Sequence, residues 1–465
     1  MLEEKLRVDS TVEQIIVALT AAVILLGYYP IGQLELKWDN LDITFYRIAI
    51  VVLFLYFVVR RIVLKIEKKY YSKIFFFFVF TMVLWFFWGK FFLYKNDYVD
   101  LILGQNQIFT VLMGLLSVYC IYESCHTKEG LSIIFWTTRI VVVGLTAFAV
   151  VEMSTDFHLM VSKLSDPAYL ELINSTLEEN FMAKMISYNA SAIFYNVNDF
   201  SAFLVIFSPL FYPQKKYKRW VNGIFIGELI LQVLIFSKND AWICTLSMLI
   251  GGIAYLILSK AKWKTWLISG GIFAVAKAFS IKVFYGLVCL IYALIPGKAV
   301  PEKIFILFKT GGFSFSAAME EQLVKAEDGT GSVFTRINTY MDTIKETFTQ
   351  SYGLGFGPSS YTGYMYERND PALLVSPHCF WTEILFQYGV IVFACFLGAL
   401  IYCFVRLIKQ YQQTQRQEYL LILIMDLIFV FACFASSSYL QFEYLWLPVG
   451  ISLAFSSIRL EKAPR

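Results

Sequence analysis

Residues 376–409 read SPHCFWTEILFQYGVIVFACFLGALIYCFVRLIK, and the apolar run within them decides the class of fold. Between residues 383 and 405 the only charged side chain is Glu383, at the start of the run. About 20 mostly apolar residues suffice for an α-helix to cross the roughly 30 Å hydrocarbon core of a bilayer. The stretch therefore predicts a membrane-spanning helix that follows directly on the short segment SPHC.

The composition of the whole chain is that of a membrane protein. Of 465 residues, 58% are hydrophobic and only 16% are charged, whereas soluble domains carry about 25% charged residues. Similar apolar runs recur along the chain without the alternation of a β-barrel, so the spans should be helices. We predict spans at residues 12–31, 43–60, 74–94, 101–122, 131–152, 193–212, 219–237, 240–259, 264–282, 383–405, 418–437 and 442–458.

The charges between these spans indicate the topology. Segments rich in Lys and Arg, such as 60–73 and 406–417, alternate with connections that are acidic or neutral. By the positive-inside rule the basic segments and both termini are cytoplasmic. The predicted fold class is thus all-α: a polytopic membrane protein of about 12 transmembrane helices, with residues 1–465 forming a single integral membrane domain.

Two connections on the extracytoplasmic side are long. The smaller loop covers residues 153–192, where the run DPAYLELINSTLEENFMAKMI predicts a helix lying on the membrane surface. The larger loop, residues 297–382 between spans 9 and 10, is long enough to form a subdomain.

The cysteines and histidines do not predict a metal site. Most of the eight cysteines lie inside predicted spans, where Cys acts as a small apolar residue. The segment CIYESCH (120–126) lacks the ligand number and spacing of a zinc site, and three histidines are too few for a His-rich site. We expect neither a metal nor another cofactor.

A helix in the larger loop carries an arginine. Apolar residues at helical spacing predict an amphipathic helix over about residues 333–349. Ser332 is a good N-cap, which puts Arg336 in the first turn, where exposed amides favour an anion. Arg336 is therefore a candidate anion-binding residue, and a solvent-facing arginine on a surface helix is the alternative.

A histidine immediately precedes the tenth span. Ser376 and Pro377 read as an N-cap followed by proline at the first helical position. His378 would then lie in the first turn, which should lower its pKa and favour the neutral imidazole that a general base needs. The alternative is a histidine that only caps the helix.

Further polar elements lie on the same predicted side. Lys238 stands in the turn SKND between spans 7 and 8 and should reach the membrane surface, where most lysines simply extend toward the headgroups. Asn196, Asn198 and Asp199 begin the sixth span and are candidates for binding a diphosphate or a glycan, with helix capping as the alternative.

A glycine-rich turn completes the set. Gly353, Gly355 and Gly357 lie in GLGFGPSS, which follows no predicted strand, so a nucleotide-binding fold is a poor interpretation. A compact turn that lets the backbone approach a ligand fits better.

In this order, NVNDF, FSKNDAW, TRIN, GLGFGPSSY and SPHCFWTEILFQYGVIVF resemble the O-antigen ligase and repeat-unit polymerase superfamily, over about residues 196–408. Its members are polytopic bacterial enzymes that transfer glycans from undecaprenyl diphosphate on the outer face of the cytoplasmic membrane. The resemblance implies that His378 activates the acceptor hydroxyl and that Arg336 binds diphosphate. Where the family commonly has a second arginine this chain has Lys238, which lacks the bidentate fork, and Arg368 is a possible substitute.

The resulting functional expectation is a polysaccharide polymerase with 297–382 as its catalytic loop. It would use undecaprenyl diphosphate-linked oligosaccharide as donor and acceptor in one inverting, metal-independent displacement, extending a capsule, exopolysaccharide or O-antigen-like polymer. Expected partners are the lipid bilayer and, as further candidates, chain-length regulator and flippase proteins, with no nucleic acid. Two alternatives remain: a ligase that moves glycan to another lipid or to a protein, and a lipid-linked oligosaccharide flippase, against which the absence of a two-fold repeat argues.

Overall fold

The structure is a computed structural model. It describes residues 10–27, 36–38, 41–63, 72–95, 97–127, 129–155, 157–169, 188–295, 300–301, 304–306, 308, 332–368, 379–435 and 442–457.

The described chain is almost entirely helical. Its helices are α1 (Ser10–Leu26), α2 (Phe45–Val63), α3 (Lys73–Phe92), α4 (Leu101–Cys125), α5 (Gly130–Thr155), α6 (Val197–Phe207), α7 (Arg219–Lys238), α8 (Trp242–Leu258), α9 (Trp263–Leu294), α10 (Ser332–Thr349), α11 (Ser360–Arg368), α12 (Phe380–Thr414), α13 (Gln417–Ala432) and α14 (Trp446–Ser457). Short 3-10 turns cover Lys163–Ser165, Ser208–Phe211 and Glu443–Leu445. Two three-residue strands that the sequence did not predict, β1 (Leu36–Trp38) and β2 (Leu41–Ile43), pair antiparallel with Leu36 opposite Ile43.

Several helices can cross a membrane, which confirms an all-α membrane protein. By length and composition α3, α4, α5, α7 and α12 qualify among the described residues, and α9 makes a sixth if its two parts, bent by 58°, count as one span. Each of the twelve predicted spans overlaps a different helix, and of the described α-helices α10 and α11 lie outside these spans. The number twelve itself stays a prediction.

Local signals explain where the helices begin. The carboxylate of Asp100 accepts hydrogen bonds from the backbone N–H groups of Ile102 (2.9 Å) and Leu103 (3.0 Å), and Ser72 caps α3 through the N–H of Phe75. Such caps satisfy amides that a helix start leaves without partners. The amphipathic helix predicted at 333–349 is confirmed as α10.

The chain divides into two compact units. Unit 1 comprises Met1–Val141, Val333–Asp426 and Ser436–Arg465. Within it α4 packs against α2, α3 and α14, and α3 packs against α12. Trp85, Phe396 and Trp446 meet edge to face at ring-centroid distances of 5.4–6.5 Å, so large aromatic side chains fill the contact between these helices.

Unit 2 comprises Val142–Ser332 and Leu427–Ala435. In this unit α7 packs against α9, and α6 packs against α8. Of the predicted surface helix in DPAYLELINSTLEENFMAKMI, residues 170–186 lie outside the described residues.

Candidate functional site

Arg336 lies on α10 and is partly exposed. Tyr340 follows one turn later on the same face. Burial raises the pKa of the Tyr340 hydroxyl, the nearby thiol of Cys379 raises it further, and the guanidinium of Arg336 lowers it. The Tyr340 hydroxyl is therefore within electrostatic reach of both Arg336 and Cys379.

The start of α12 differs from the sequence prediction. Cys379 is the N-cap, with an extended backbone (φ −162°, ψ 120°), and Phe380 is the first helical residue. The prediction of a helix starting at Pro377, with Ser376 as N-cap, is wrong. His378 itself lies outside the described residues, immediately before this N-cap.

The glycine-rich turn binds to a break in α12. Gly389 interrupts the helix with φ 76° and ψ 179°. Next to this break the N–H of Val390 donates to the carbonyl of Gly353 (2.8 Å), and the N–H of Gly357 donates to the carbonyl of Gln387 (2.9 Å). The turn thus supplies hydrogen bonds that the interrupted helix cannot make for itself.

Close backbone contact explains the glycines. A Cβ on Gly355 would lie 2.6 Å from the backbone nitrogen of Gly389 and 2.7 Å from the carbonyl oxygen of Gln387. A Cβ on Gly357 would lie 3.0 Å from the carbonyl oxygen of Phe92. The backbone that these two glycines approach belongs to the protein's own helices, and the predicted role of Gly353, Gly355 and Gly357 in ligand binding stays a prediction.

An aromatic cluster fixes α11 beside the turn. The rings of Phe356 and Phe386 stack at 4.4 Å with an interplanar angle of 17°. Tyr361, Tyr364 and Met365 complete the buried cluster. Burial, together with a hydrogen bond to Glu346, raises the pKa of Tyr364 to about 12.

Arg368, at the end of α11, forms an ion pair with Asp342 of α10 at 2.5 Å. Its guanidinium also lies over the ring of Tyr364, 5.8 Å from the centroid. The hydrogen bond with Asp342 raises the pKa of Arg368 above its usual value. Arg368 therefore links α11 to α10, and its charge is balanced by a carboxylate.

Lys238 occupies a different environment in unit 2. Its side chain is 0% exposed, although the sequence predicted a position at the membrane surface. The Lys238 amino group donates a hydrogen bond to the side-chain carbonyl of Asn189 at 3.0 Å. The neighbouring Asn239 donates to the carbonyl of Ala190 (2.7 Å) and accepts from its N–H (2.9 Å). These contacts attach residues 189–190 to the end of α7.

The start of α6 carries the other predicted residues of unit 2. Asn196 is the N-cap, and its side chain accepts a hydrogen bond from the N–H of Asn198 at 3.1 Å. Asp199 is buried in the first turn, where a carboxylate interacts favourably with the helix dipole. For Asn196 the structure supports helix capping, which was the alternative interpretation.

A second buried polar cluster in unit 2 was missed. Glu152, at the end of α5, accepts hydrogen bonds from His158 Nδ1 (2.9 Å) and from the N–H groups of Ser191 (3.0 Å) and Ala192 (2.7 Å). The Ser191 hydroxyl in turn donates to Ser162 (2.7 Å). The available signal was a glutamate at the end of a predicted span, followed six residues later by one of only three histidines.

Metal-ligating side chains are not clustered in the part of the chain that the structure describes. No group of three or more His, Cys, Asp and Glu residues there could hold a metal ion.

No protein-family model matches the sequence, and no curated protein gives a significant match. The function must therefore be argued from the arrangement of the residues themselves.

Proposed function

We propose that this chain is a membrane glycosyltransferase of the polysaccharide polymerase type, similar to the O-antigen ligase and polymerase superfamily. Its substrates are undecaprenyl diphosphate-linked oligosaccharides, which serve as donor and as acceptor. The proposed location is the bacterial cytoplasmic membrane, with twelve spans, both termini in the cytoplasm and the active site on the outer face.

The arrangement around Tyr340 carries this proposal. Arg336 and Cys379 act on the same hydroxyl, although they are 43 positions apart in the sequence. Cys379 is the residue that follows His378. Arg336 and Cys379 are thus both near Tyr340, and this proximity supports a site in which a cation suited to diphosphate lies close to the segment that carries His378 in the sequence.

The reaction needs only a few groups from the protein. The acceptor hydroxyl oxygen forms a bond to the anomeric carbon of the donor sugar, and the bond from that carbon to the oxygen of the attached phosphate breaks. His378 takes the hydroxyl proton, and the electron pair of the broken bond leaves with the lipid diphosphate. Arg336 stabilises the charge that develops on the leaving oxygen. One displacement of this kind inverts the anomeric configuration.

The other two basic residues that were predicted to bind substrate, Arg368 and Lys238, make contacts within the protein. Arg368 is paired with Asp342, and Lys238 is buried in a hydrogen-bonded cluster. Arg336 is partly exposed, so an incoming diphosphate can reach its guanidinium more easily than the enclosed side chain of Lys238.

The test is an assay with purified protein in liposomes and lipid-linked oligosaccharide as the only substrate. We expect polymer from the wild type and a loss of roughly 10²–10⁴-fold in rate for His378→Ala, the range of a general base. Arg336→Ala should lose about 10²–10³-fold, as expected for removing a group that stabilises the transition state. Lys345→Ala is the matched control, because Lys345 is an exposed cation on the same helix.

The outcomes separate the proposals. Normal polymer formation by His378→Ala would remove this residue as the base. In a second reaction that also contains a different acceptor, transfer of glycan to that acceptor without polymer would indicate a ligase. Movement of the lipid-linked oligosaccharide across the bilayer without a new glycosidic bond would indicate a flippase and overturn the proposal.

A further inference from the structure

Helix α10 buries a row of threonines. Thr339, Thr343 and Thr347 recur one turn apart and are 0% exposed. Their burial is possible because the hydroxyls bond within the helix: Thr343 donates to the carbonyl of Thr339 (2.6 Å) and Thr347 to that of Thr343 (2.8 Å). The face of α10 that packs into the protein is therefore the one with small polar side chains.

The opposite face of α10 is apolar and exposed. We call its four side chains the α10 stripe: Ile337, Met341, Ile344 and Phe348, which are 38–65% exposed. Their spacing of four, three and four residues places them on one side of the helix. The helix is thus inverted relative to a surface helix in water, whose apolar side faces the core.

Exposure of the α10 stripe to water is energetically unfavourable. Removing a large apolar side chain from water is favourable, so four of them together favour an apolar environment strongly. A helix with a clear apolar side and low hydrophobicity as a whole is typical of helices that lie in the membrane interface.

The C-terminal end of α10 adjoins two candidate membrane spans. Gly353, just after the helix, accepts the hydrogen bond from Val390 of α12. The indole N–H of Trp88 in α3 donates to the carbonyl of Leu354 at 3.0 Å. Both α3 and α12 are long and apolar enough to cross a bilayer.

Exposed apolar side chains continue from the stripe onto this junction. Tyr352 and Leu354 in the turn and Ile391 on α12 are exposed. A lipid bilayer that surrounds α12 would also cover these exposed side chains. A second protein copy could cover them only if its surface matched their shape.

We propose that α10 is an interfacial helix whose stripe inserts into the acyl-chain region of the leaflet next to the Gly389 break. The partner is the lipid bilayer itself. On α10 the exposed polar side chains of Asn338 and Lys345 lie beside the stripe, and in this arrangement they face the lipid headgroups. This inference does not depend on the glycosyltransferase proposal.

The test measures the depth of a nitroxide label in full-length protein reconstituted into phosphatidylethanolamine and phosphatidylglycerol liposomes. Cys289 and Cys395, the two native cysteines that are not buried, are first replaced by alanine. Labels are then attached at Met341→Cys or Phe348→Cys, with Asn338→Cys as the matched polar control. Collisions with oxygen, which concentrates in hydrocarbon, are compared with collisions with a water-soluble nickel chelate.

We expect the oxygen-to-nickel collision ratio to be several-fold higher at positions 341 and 348 than at position 338. A high nickel collision rate at all three positions would place the stripe in water and overturn the proposal. Low collision rates with both reagents at 341 and 348 would also overturn it, because another protein surface would then cover the stripe. Two independent stripe positions keep the test decisive if one variant does not fold.

Discussion

Arg336 in unit 1 and Lys238 in unit 2 are both cations that the sequence places near helix ends, yet their surroundings differ. Arg336 is partly exposed beside Tyr340. Lys238 is fully buried and bonded to Asn189 in a region where Asn239, Glu152 and Ser191 also make hydrogen bonds within the unit.

The difference shows that a basic residue at a helix end can have either a structural role or a functional one. A buried charge is costly unless it is hydrogen-bonded, so the cluster around Lys238 acts on the folding of unit 2. In unit 1 backbone hydrogen bonds attach the glycine turn to α12, and Arg336 is partly exposed. The following predictions test whether this division between structure and function holds.

Replacing the glycine at the α12 break should have the largest effect on stability. A Cβ on Gly389 would lie 2.5 Å from backbone atoms of Gly353 and Leu354, at φ +76°. We expect Gly389→Ala to cost about 3–5 kcal/mol through backbone strain and overpacking. The loss of stability is measured by thermal unfolding in detergent, and size-exclusion chromatography detects aggregation.

Gly398→Ala is the matched control for that experiment. Gly398 lies in the same helix with no atom within 4 Å of an added Cβ, and alanine is the better helix former by about 1 kcal/mol. Equal melting temperatures for the two variants would mean that the turn does not hold the break.

Truncation of the buried lysine should come next. Lys238→Ala removes a donor from Asn189 and leaves a cavity, so we expect a loss of about 2–4 kcal/mol. Arg336→Ala should cost less, because Arg336 is only partly buried and substitutions near the surface usually have the smaller effects, about 0.5 kcal/mol. Similar losses of stability for the two variants in the same unfolding assay would contradict the distinction between a structural Lys238 and a functional Arg336.

The pH dependence of Cys379 alkylation tests how closed the corner near Arg336 is. Burial raises the pKa of the Cys379 thiol to about 11, so the thiol is protonated at pH 8 and its thiolate fraction should rise tenfold per pH unit up to that pKa. Since an ordinary cysteine has a pKa of about 8.5, iodoacetamide should modify Cys379 roughly 10²-fold more slowly at pH 8.

Peptide mass spectrometry resolves this cysteine from the other seven. The same chain unfolded in detergent and urea is the control. Modification of Cys379 in folded protein at the unfolded rate at pH 8 would show that the corner is open to solvent rather than closed around Tyr340.

The smallest effect is expected at Arg368. Its ion pair with Asp342 leaves the two side chains 32% and 15% exposed, and such pairs contribute about 0.2–1 kcal/mol. Arg368→Ala should therefore change both the melting temperature and the polymerisation rate only slightly. A loss of rate as large as that of Arg336→Ala would show that Arg368 binds substrate and would extend the functional region to α11.

Much of the local structure could be predicted from the sequence. The start and end of α10 followed from its apolar spacing and from the glycines after it, because helical periodicity is a short-range property. Motif chemistry was a weaker guide: Ser376-Pro377 suggested a helix start, whereas the structure begins α12 at Phe380. Helix ends are the least certain part of such a prediction, because they fray and their boundaries depend on the local cap geometry.

The candidate site could be predicted only in part. Arg336 was identified from its place near a helix start, but the nearness of Cys379 to Tyr340 depends on how α10 and α12 pack. Glu152 was missed because its hydrogen-bond donors, His158, Ser191 and Ala192, come from separate segments. Contacts of this kind have no fixed sequence spacing.

By itself the sequence determined that the chain is α-helical and membrane-embedded, because hydrophobicity and helical periodicity act over short stretches and need no partner. Only the tertiary structure decided which face of α10 is buried, that the glycines meet the backbone of α12 at Gly389, and that Lys238 is enclosed while Arg336 is not. Exposure, close backbone approach and the pairing of charges are set by neighbours that are distant in sequence, and so they follow from packing.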